Sequence, residues 1–117
     1  FGGKVYKYVV AKPDGKFVSQ YKTSFEYQIG VPAIDETNGL WFYYLPGIKV
    51  AKQVYGTNPD RVLVEFNLIR LKNEAYSPEV DGQAYELLPT KIFSKEEESE
   101  LLEKSRSFTH FSENFPF

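Results

Sequence analysis

Arg61-Val62-Leu63-Val64-Glu65-Phe66-Asn67-Leu68-Ile69-Arg70-Leu71 is the longest unbroken pattern in the chain. Extended, it sets Val62, Val64, Phe66, Leu68 and Arg70 on one face and Leu63, Glu65, Asn67 and Ile69 on the other, which is the period of a β-strand. Thr57-Asn58-Pro59-Asp60 turns into it, and the polar stretch from Lys72 to Gly82 leads out. Immediately upstream, Leu40-Trp41-Phe42-Tyr43-Tyr44-Leu45 is apolar without alternation, so it reads as the central strand, covered on both faces. Between these runs Pro46 opens a short helix near 46–55, and Gly56 closes it. Ile48, Ala51 and Tyr55, with Val50 and Val54, give it apolar positions at helical spacing. Lys49, Lys52 and Gln53 form its polar face, and burial of Ile48, Ala51 and Val54 should hold it on the sheet.

Toward the N-terminus, Val5 to Ala11 mixes β-branched and aromatic residues, and Lys12-Pro13-Asp14-Gly15 predicts a hairpin turn into Lys16 to Tyr21. Phe25 to Ile29 is a further strand, and Val31 to Gly39, with Pro32 and Asn38-Gly39, reads as a surface loop. Toward the C-terminus, Gln83 to Leu88 reads as a strand interrupted by Pro89. Ser94 followed by Glu97 matches a capping box, with Glu96 to Glu98 favouring the positive helix end. The helix expected over 95–105 carries only Leu101 and Leu102 as sizeable apolar residues, so it should be peripheral. The fold class is therefore α+β: mostly antiparallel twisted sheet of about six strands, one short helix near 46–55 and one peripheral helix. Residues 1–107 form a single domain in this reading, and 108–117 an aromatic tail docked on the domain or on a partner. Phe108, Phe111, Phe115 and Phe117 are its candidate anchors, since large exposed apolar surface marks contact sites.

A chain of 117 residues bury enough apolar surface to fold without metals or crosslinks. The absence of cysteine excludes disulfides, thiolate metal sites and cysteine nucleophiles and fits a reducing compartment, so a cytoplasmic or virion-associated location is expected. No apolar run approaches the roughly 20 residues of a membrane span. No basic leader precedes an apolar stretch, and the lack of methionine is compatible with a processed N-terminus. Residues 1–72 carry ten basic and six acidic side chains, and residues 73–117 four and ten, so a balance of +4 faces one of −6. Such asymmetry can steer association with a partner or simply face solvent.

His110 is the only histidine and has no serine, cysteine or paired acid beside it in sequence, so it reads as structural. One histidine with scattered carboxylates offers no metal-ligand spacing, and no metal or cofactor is assigned. Glu65 and Glu86 lie on expected strands as a conceivable acid and base. The dispersed glycines do not form a phosphate-cradling loop. On the opening hairpin Lys4, Lys7, Lys12, Lys16 and Lys22 interleave with Tyr6, Tyr8, Phe17 and Tyr21. Amines there could meet phosphates and rings could stack on bases, which makes Lys4, Lys7, Lys16 and Lys22 the candidate nucleic-acid contacts. The slight net acidity of the chain weighs against that partner.

The stretch Asn38-Gly39-Leu40-Trp41-Phe42-Tyr43-Tyr44, the short helix with Ala51, and Arg61-Val62-Leu63-Val64-Glu65-Phe66 together resemble small uncharacterised phage and bacterial domains. About thirty residues also resemble compact ADP-ribosyltransferase-like folds, which bind NAD between two sheets. That resemblance implies Tyr43 or Tyr44 as the aromatic of an NAD site, Thr23-Ser24 as a hydroxyl pair and Glu86 as the acid. The first strand offers Lys4 and Lys7 where the family pattern has histidine or arginine, so a scaffold that binds without turnover is implied. The expectation is a non-enzymatic protein-interaction or structural module of phage or viral origin, with a protein partner or self-association. The alternatives are an NAD-binding domain of that type and single-stranded nucleic-acid binding.

Overall fold

A computed structural model describes residues 3–20, 25–74 and 80–113, with side chains described as far as Ser105. The elements run β1 (Lys4–Ala11), β2 (Phe17–Val18), β3 (Glu26–Tyr27), β4 (Ala33–Ile34), β5 (Leu40–Phe42), one 3₁₀ turn (Leu45–Gly47), α1 (Ile48–Tyr55), β6 (Arg61–Glu74), β7 (Gly82–Ile92) and α2 (Lys95–Glu113). All strand pairs are antiparallel, in the order β3-β2-β1-β6-β7-β4, with β5 also on β7. The chain is an α+β domain, as its sequence pattern predicts.

The opening hairpin forms as its turn residues dictate. Gly15 adopts φ +87°, the Asp14 carboxylate accepts from the Lys16 N–H at 3.0 Å, and the Lys12 N–H donates to the Lys16 carbonyl at 2.8 Å. The Ser94–Glu97 capping box also forms, with the Ser94 N–H 3.0 Å from Glu97 Oε1 and the Glu97 N–H 3.2 Å from Ser94 Oγ. Nothing then stops the helix at 105, because no glycine or proline occurs before Pro116, and α2 continues to Glu113. Phe108 and Phe111 therefore lie on α2, their side chains beyond those described; Phe115 and Phe117 lie outside the described residues.

Four local expectations are corrected. The run Leu40–Leu45 is not the central strand: β5 is three residues long, pairs with β7 alone among the named strands, and leaves Trp41 exposed between buried Leu40 and Phe42. The centre belongs to β6, flanked by β1 and β7, because only a long strand can pair along both edges. The stretch 31–39 is not wholly loop, since Ala33–Ile34 pairs with Leu87 and Glu86. Pro89 does not end its strand: the register jumps from Phe66↔Pro89 to Glu65↔Lys91, so a bulge absorbs the residue, and its carbonyl accepts from the Gly30 N–H at 2.9 Å on the other edge. Val54 is half exposed, because at about 100° per residue it falls on the flank of α1, roughly 90° from the centre of the buried face of Ile48 and Ala51.

The sheet rolls up. Tyr43, following β5, exchanges backbone bonds with Tyr6 of β1, N–H to carbonyl at 2.7 and 2.8 Å, although β5 is otherwise held by β7. The ring of Tyr27, on edge strand β3, stands edge-on to Phe66 of β6 at 5.5 Å. The concave side encloses Val5, Val9, Tyr27, Leu40, Phe42, Val64, Phe66, Leu68 and Leu87. The convex side, with Tyr6, Tyr8, Tyr43 and Leu63, is covered by Ile48 and Ala51 of α1 and half-buried Leu101 and Leu102 of α2. Among the described residues, no helix is long and apolar enough to cross a membrane.

Candidate binding cleft

Backbone N–H and carbonyl groups of a strand point alternately to its two edges. On β1 the odd residues face β6, as the Gly3 carbonyl accepting from the Leu68 N–H at 2.9 Å and the Ala11 N–H reaching the Asp60 carbonyl at 2.7 Å show. Tyr6, Tyr8 and Val10 face the other edge. There Tyr6 is satisfied by Tyr43 and Val10 lies opposite Val18 of β2. Tyr8 falls in the gap between them and, among the described residues, has no strand partner on that side. Its carbonyl instead accepts from Gln20 Nε2 at 3.0 Å, and the same amide lies 3.4 Å from the Tyr55 carbonyl. The Tyr8 N–H faces the gap.

This interruption opens a cleft of about 370 Å³, a volume typical of small-molecule sites. Its walls are the rings of Tyr8, Phe25, Trp41, Tyr43 and Tyr55 together with Leu40 and Val80. Lys7, Ser19, Gln20, Asp35 and Asn38 contribute the polar groups. Because neighbouring strand residues point to opposite faces, Lys7 leans to the concave side and Tyr8 to the convex side, so the cleft straddles the sheet edge. Gly39 takes φ +79° in the turn that carries Trp41 into the wall. Asp35 caps that turn, its Oδ1 accepting from the Thr37 N–H at 3.1 Å and the Asn38 N–H at 2.9 Å.

Beneath the cleft the Tyr8 side chain continues into a buried network. Its hydroxyl donates to Glu98 Oε2 at 2.5 Å, and Lys52 Nζ donates to the same oxygen at 3.0 Å. Burial and the carboxylate together push the Tyr8 hydroxyl far above its ordinary value. Burial alone would raise the Glu98 carboxyl, yet Tyr8, Lys52 and Lys95 outweigh it and leave Glu98 below its ordinary value. Glu98 thus stays ionised while buried, and it fastens α2 to β1 and α1.

The candidates named from sequence are distributed as follows. Tyr43 lines the cleft, whereas Tyr44 packs edge-on against Phe42 at 5.3 Å and its N–H donates to Asp81 at 2.9 Å. Glu86 is outside the cleft and accepts from Arg70 Nε at 3.0 Å. Glu65 holds Lys4 at 2.9 Å and Thr90 Oγ1 at 3.0 Å. Glu65 pairs with Lys91 and Arg70 with Glu86, five positions apart along β6, so the two acids are roughly 16 Å apart and do not make one acid–base site. Of the candidate nucleic-acid contacts, Lys7 lies in the cleft, Lys4 is ion-paired, Lys16 is exposed on the hairpin, and Lys22 lies outside the described residues, as does the pair Thr23-Ser24. Phe25, Trp41 and Tyr55, with Gln20, are the site residues that sequence reasoning did not single out. Their one signal was an unusually high content of rings for a short chain. Among the described residues no three potential metal ligands gather. No protein-family model, curated protein or solved structure matches the chain.

Proposed function

We propose that this domain is a non-enzymatic binding module that takes a ring-bearing ligand into the cleft on the open edge of β1. The observation that supports it is the convergence of five aromatic residues from four separate segments on one cleft, where Tyr8 and Tyr43 of the convex-side core meet Phe25, Trp41 and Tyr55. Rings offer large contact area at little conformational cost, and a half-exposed tryptophan at a rim is a frequent anchor. Tyr43 of the NAD-site candidates belongs to this wall, but the acid paired with it in that reading, Glu86, is engaged with Arg70. Binding without turnover is therefore favoured over transfer.

Trp41 is the only tryptophan in the chain and is 38% exposed on the rim, so the protein carries its own reporter. Aromatic fragments at millimolar concentration should shift the amide resonances of Tyr8 and Gly39 and the Trp41 indole in ¹H–¹⁵N spectra. Trp41→Ala should weaken those responses by about tenfold, in line with the cost of losing an interface aromatic. Shifts gathered instead on the exposed Val50–Val54 face of α1, or no shifts at all, would overturn the proposal.

A further inference from the structure

Among the half-buried cations, Lys52 pairs with Glu98 at 3.0 Å, Arg61 with Asp60 at 2.5 Å, and Lys72 reaches the Asn38 carbonyl at 3.3 Å. Lys7 differs. It is half-buried, lines the cleft, and has no carboxylate within ion-pair distance among the described residues. Its ammonium instead stands 5.4 Å from the centroid of the Tyr27 ring. Tyr27 is itself buried, and its hydroxyl makes no hydrogen bond among the described residues. A partly desolvated charge without a counter-charge is costly to hold, and a ring face offsets that cost only in part. The Tyr8 N–H, next along the same strand, is a second donor facing the gap. Asp35, the one carboxylate among the described residues of the cleft wall, already accepts two backbone N–H groups.

Building on the proposed role of the cleft, we infer that its ligand is a small organic anion. A carboxylate or similar oxyanion meets the Lys7 ammonium and the Tyr8 N–H, and a flat apolar body lies among Phe25, Trp41, Tyr43 and Tyr55. The arrangement supplies the missing counter-charge to Lys7 in a partly desolvated place, where a charge-assisted hydrogen bond is roughly twice as strong as a neutral one. The volume of about 370 Å³ suits a free molecule of two fused rings with a short acidic chain.

The test uses three matched probes on the full chain at pH 7: 3-(2-naphthyl)propionate, its neutral carboxamide, and 2-(2-naphthyl)ethylammonium, each titrated by ¹H–¹⁵N spectra. The carboxylate should bind about tenfold more tightly than the amide, and the ammonium more weakly than either. Lys7→Met should erase the difference between carboxylate and amide, with the larger loss on the carboxylate. Lys7→Arg should restore the preference, which separates charge from any effect on folding. Equal affinity for carboxylate and amide in the unaltered protein, or preference for the ammonium, would overturn the anion assignment while leaving cleft binding standing. Failure of all three probes to shift Tyr8, Gly39 or Trp41 would remove the cleft reading itself. A preference seen only when the carboxylate is the C-terminus of a peptide ending in phenylalanine would overturn the assignment to a free small molecule.

Discussion

The hydroxyl of Tyr8 on β1 donates to the carboxylate of Glu98 on α2 at 2.5 Å, across ninety positions of sequence and at a buried place. The ring above that hydroxyl forms part of the cleft wall, and Gly56 lies close enough that a Cβ there would come within 2.8 Å of the ring. One side chain thus joins the binding cleft, the end of α1 and the docking of α2. Removing the hydroxyl alone leaves Glu98 with its lysines but deletes a hydrogen bond to a charged group. Tyr8→Phe should cost about 1.5–3 kcal/mol in urea unfolding. An unchanged midpoint would mean that water replaces the hydroxyl and that the carboxylate is not held by Tyr8.

Glu97 and Glu98 make the docking of α2 pH-dependent. Lys91 and the Ser94 N–H hold the Glu97 carboxyl down at about 2, and Glu98 is also below its ordinary value. Groups with a depressed folded value favour folding when ionised. Their contribution is present above the ordinary carboxyl value of about 4.3 and is lost as the pH falls below it toward the folded value. Stability measured in urea should therefore fall between about pH 4.5 and pH 2, and Glu97→Gln should flatten part of that slope. A Glu97→Gln profile identical to that of the parent would remove Glu97 from the effect.

Asp81 behaves in the opposite sense. Burial lifts its carboxyl above the ordinary value, against the lowering influence of the Tyr44 N–H that it accepts at 2.9 Å. A raised folded value means the folded state binds the proton more tightly, so this stability is present at low pH and lost as the pH rises through the folded value. Asp81→Asn keeps an acceptor for Tyr44 and removes the buried charge. It should be neutral or stabilising by up to about 1 kcal/mol at pH 7, with the gain vanishing in acid. A clear destabilisation at pH 7 would show that the charge itself is needed.

Gly82 starts β7 where Phe42 of β5 crosses it, and a Cβ there would lie 2.7 Å from Phe42 Cζ and 2.9 Å from the Asn73 carbonyl oxygen. One of these neighbours is backbone and cannot rotate away. Gly82→Ala should cost about 1–3 kcal/mol by overpacking and should disturb the β5 register that carries Trp41. A thermal midpoint equal to that of the parent, with the Trp41 emission unchanged, would mean that β5 shifts freely.

Phe66 is fully buried on the central strand and meets Tyr27 from the far edge of the rolled sheet. Phe66→Ala should cost about 3–5 kcal/mol, and Trp41→Ala, at the exposed rim, should change stability little. Similar losses for both would contradict the placement of Trp41 outside the core.

Local pattern made much of this fold legible. The turn at Lys12–Lys16, the capping box at Ser94 and Glu97, the alternation of 61–71 and the helix closed by Gly56 all rest on contacts within a few residues, so the sequence carries them directly. The misreadings share a cause. Leu40–Leu45 lacks alternation because Trp41 faces a cleft, not because the strand is central, and Pro89 stays in its strand because β7 itself bulges at Thr90, beside it. Val54 reads as a core position yet lies on the flank of α1, because three apolar residues at near-helical spacing do not say which pair meets the sheet.

The site was less legible still. Sequence alone determined that the chain folds around many rings, in an antiparallel sheet with two helices, and without cysteine chemistry. Only the tertiary structure decided which rings line the cleft. That depends on how the sheet rolls, on Tyr43 closing upon Tyr6 while β2 stops short, and on the gap this leaves around Tyr8 and Lys7. The residues involved come from positions 7 to 80, and their meeting is set by long-range backbone pairing, which no local periodicity encodes.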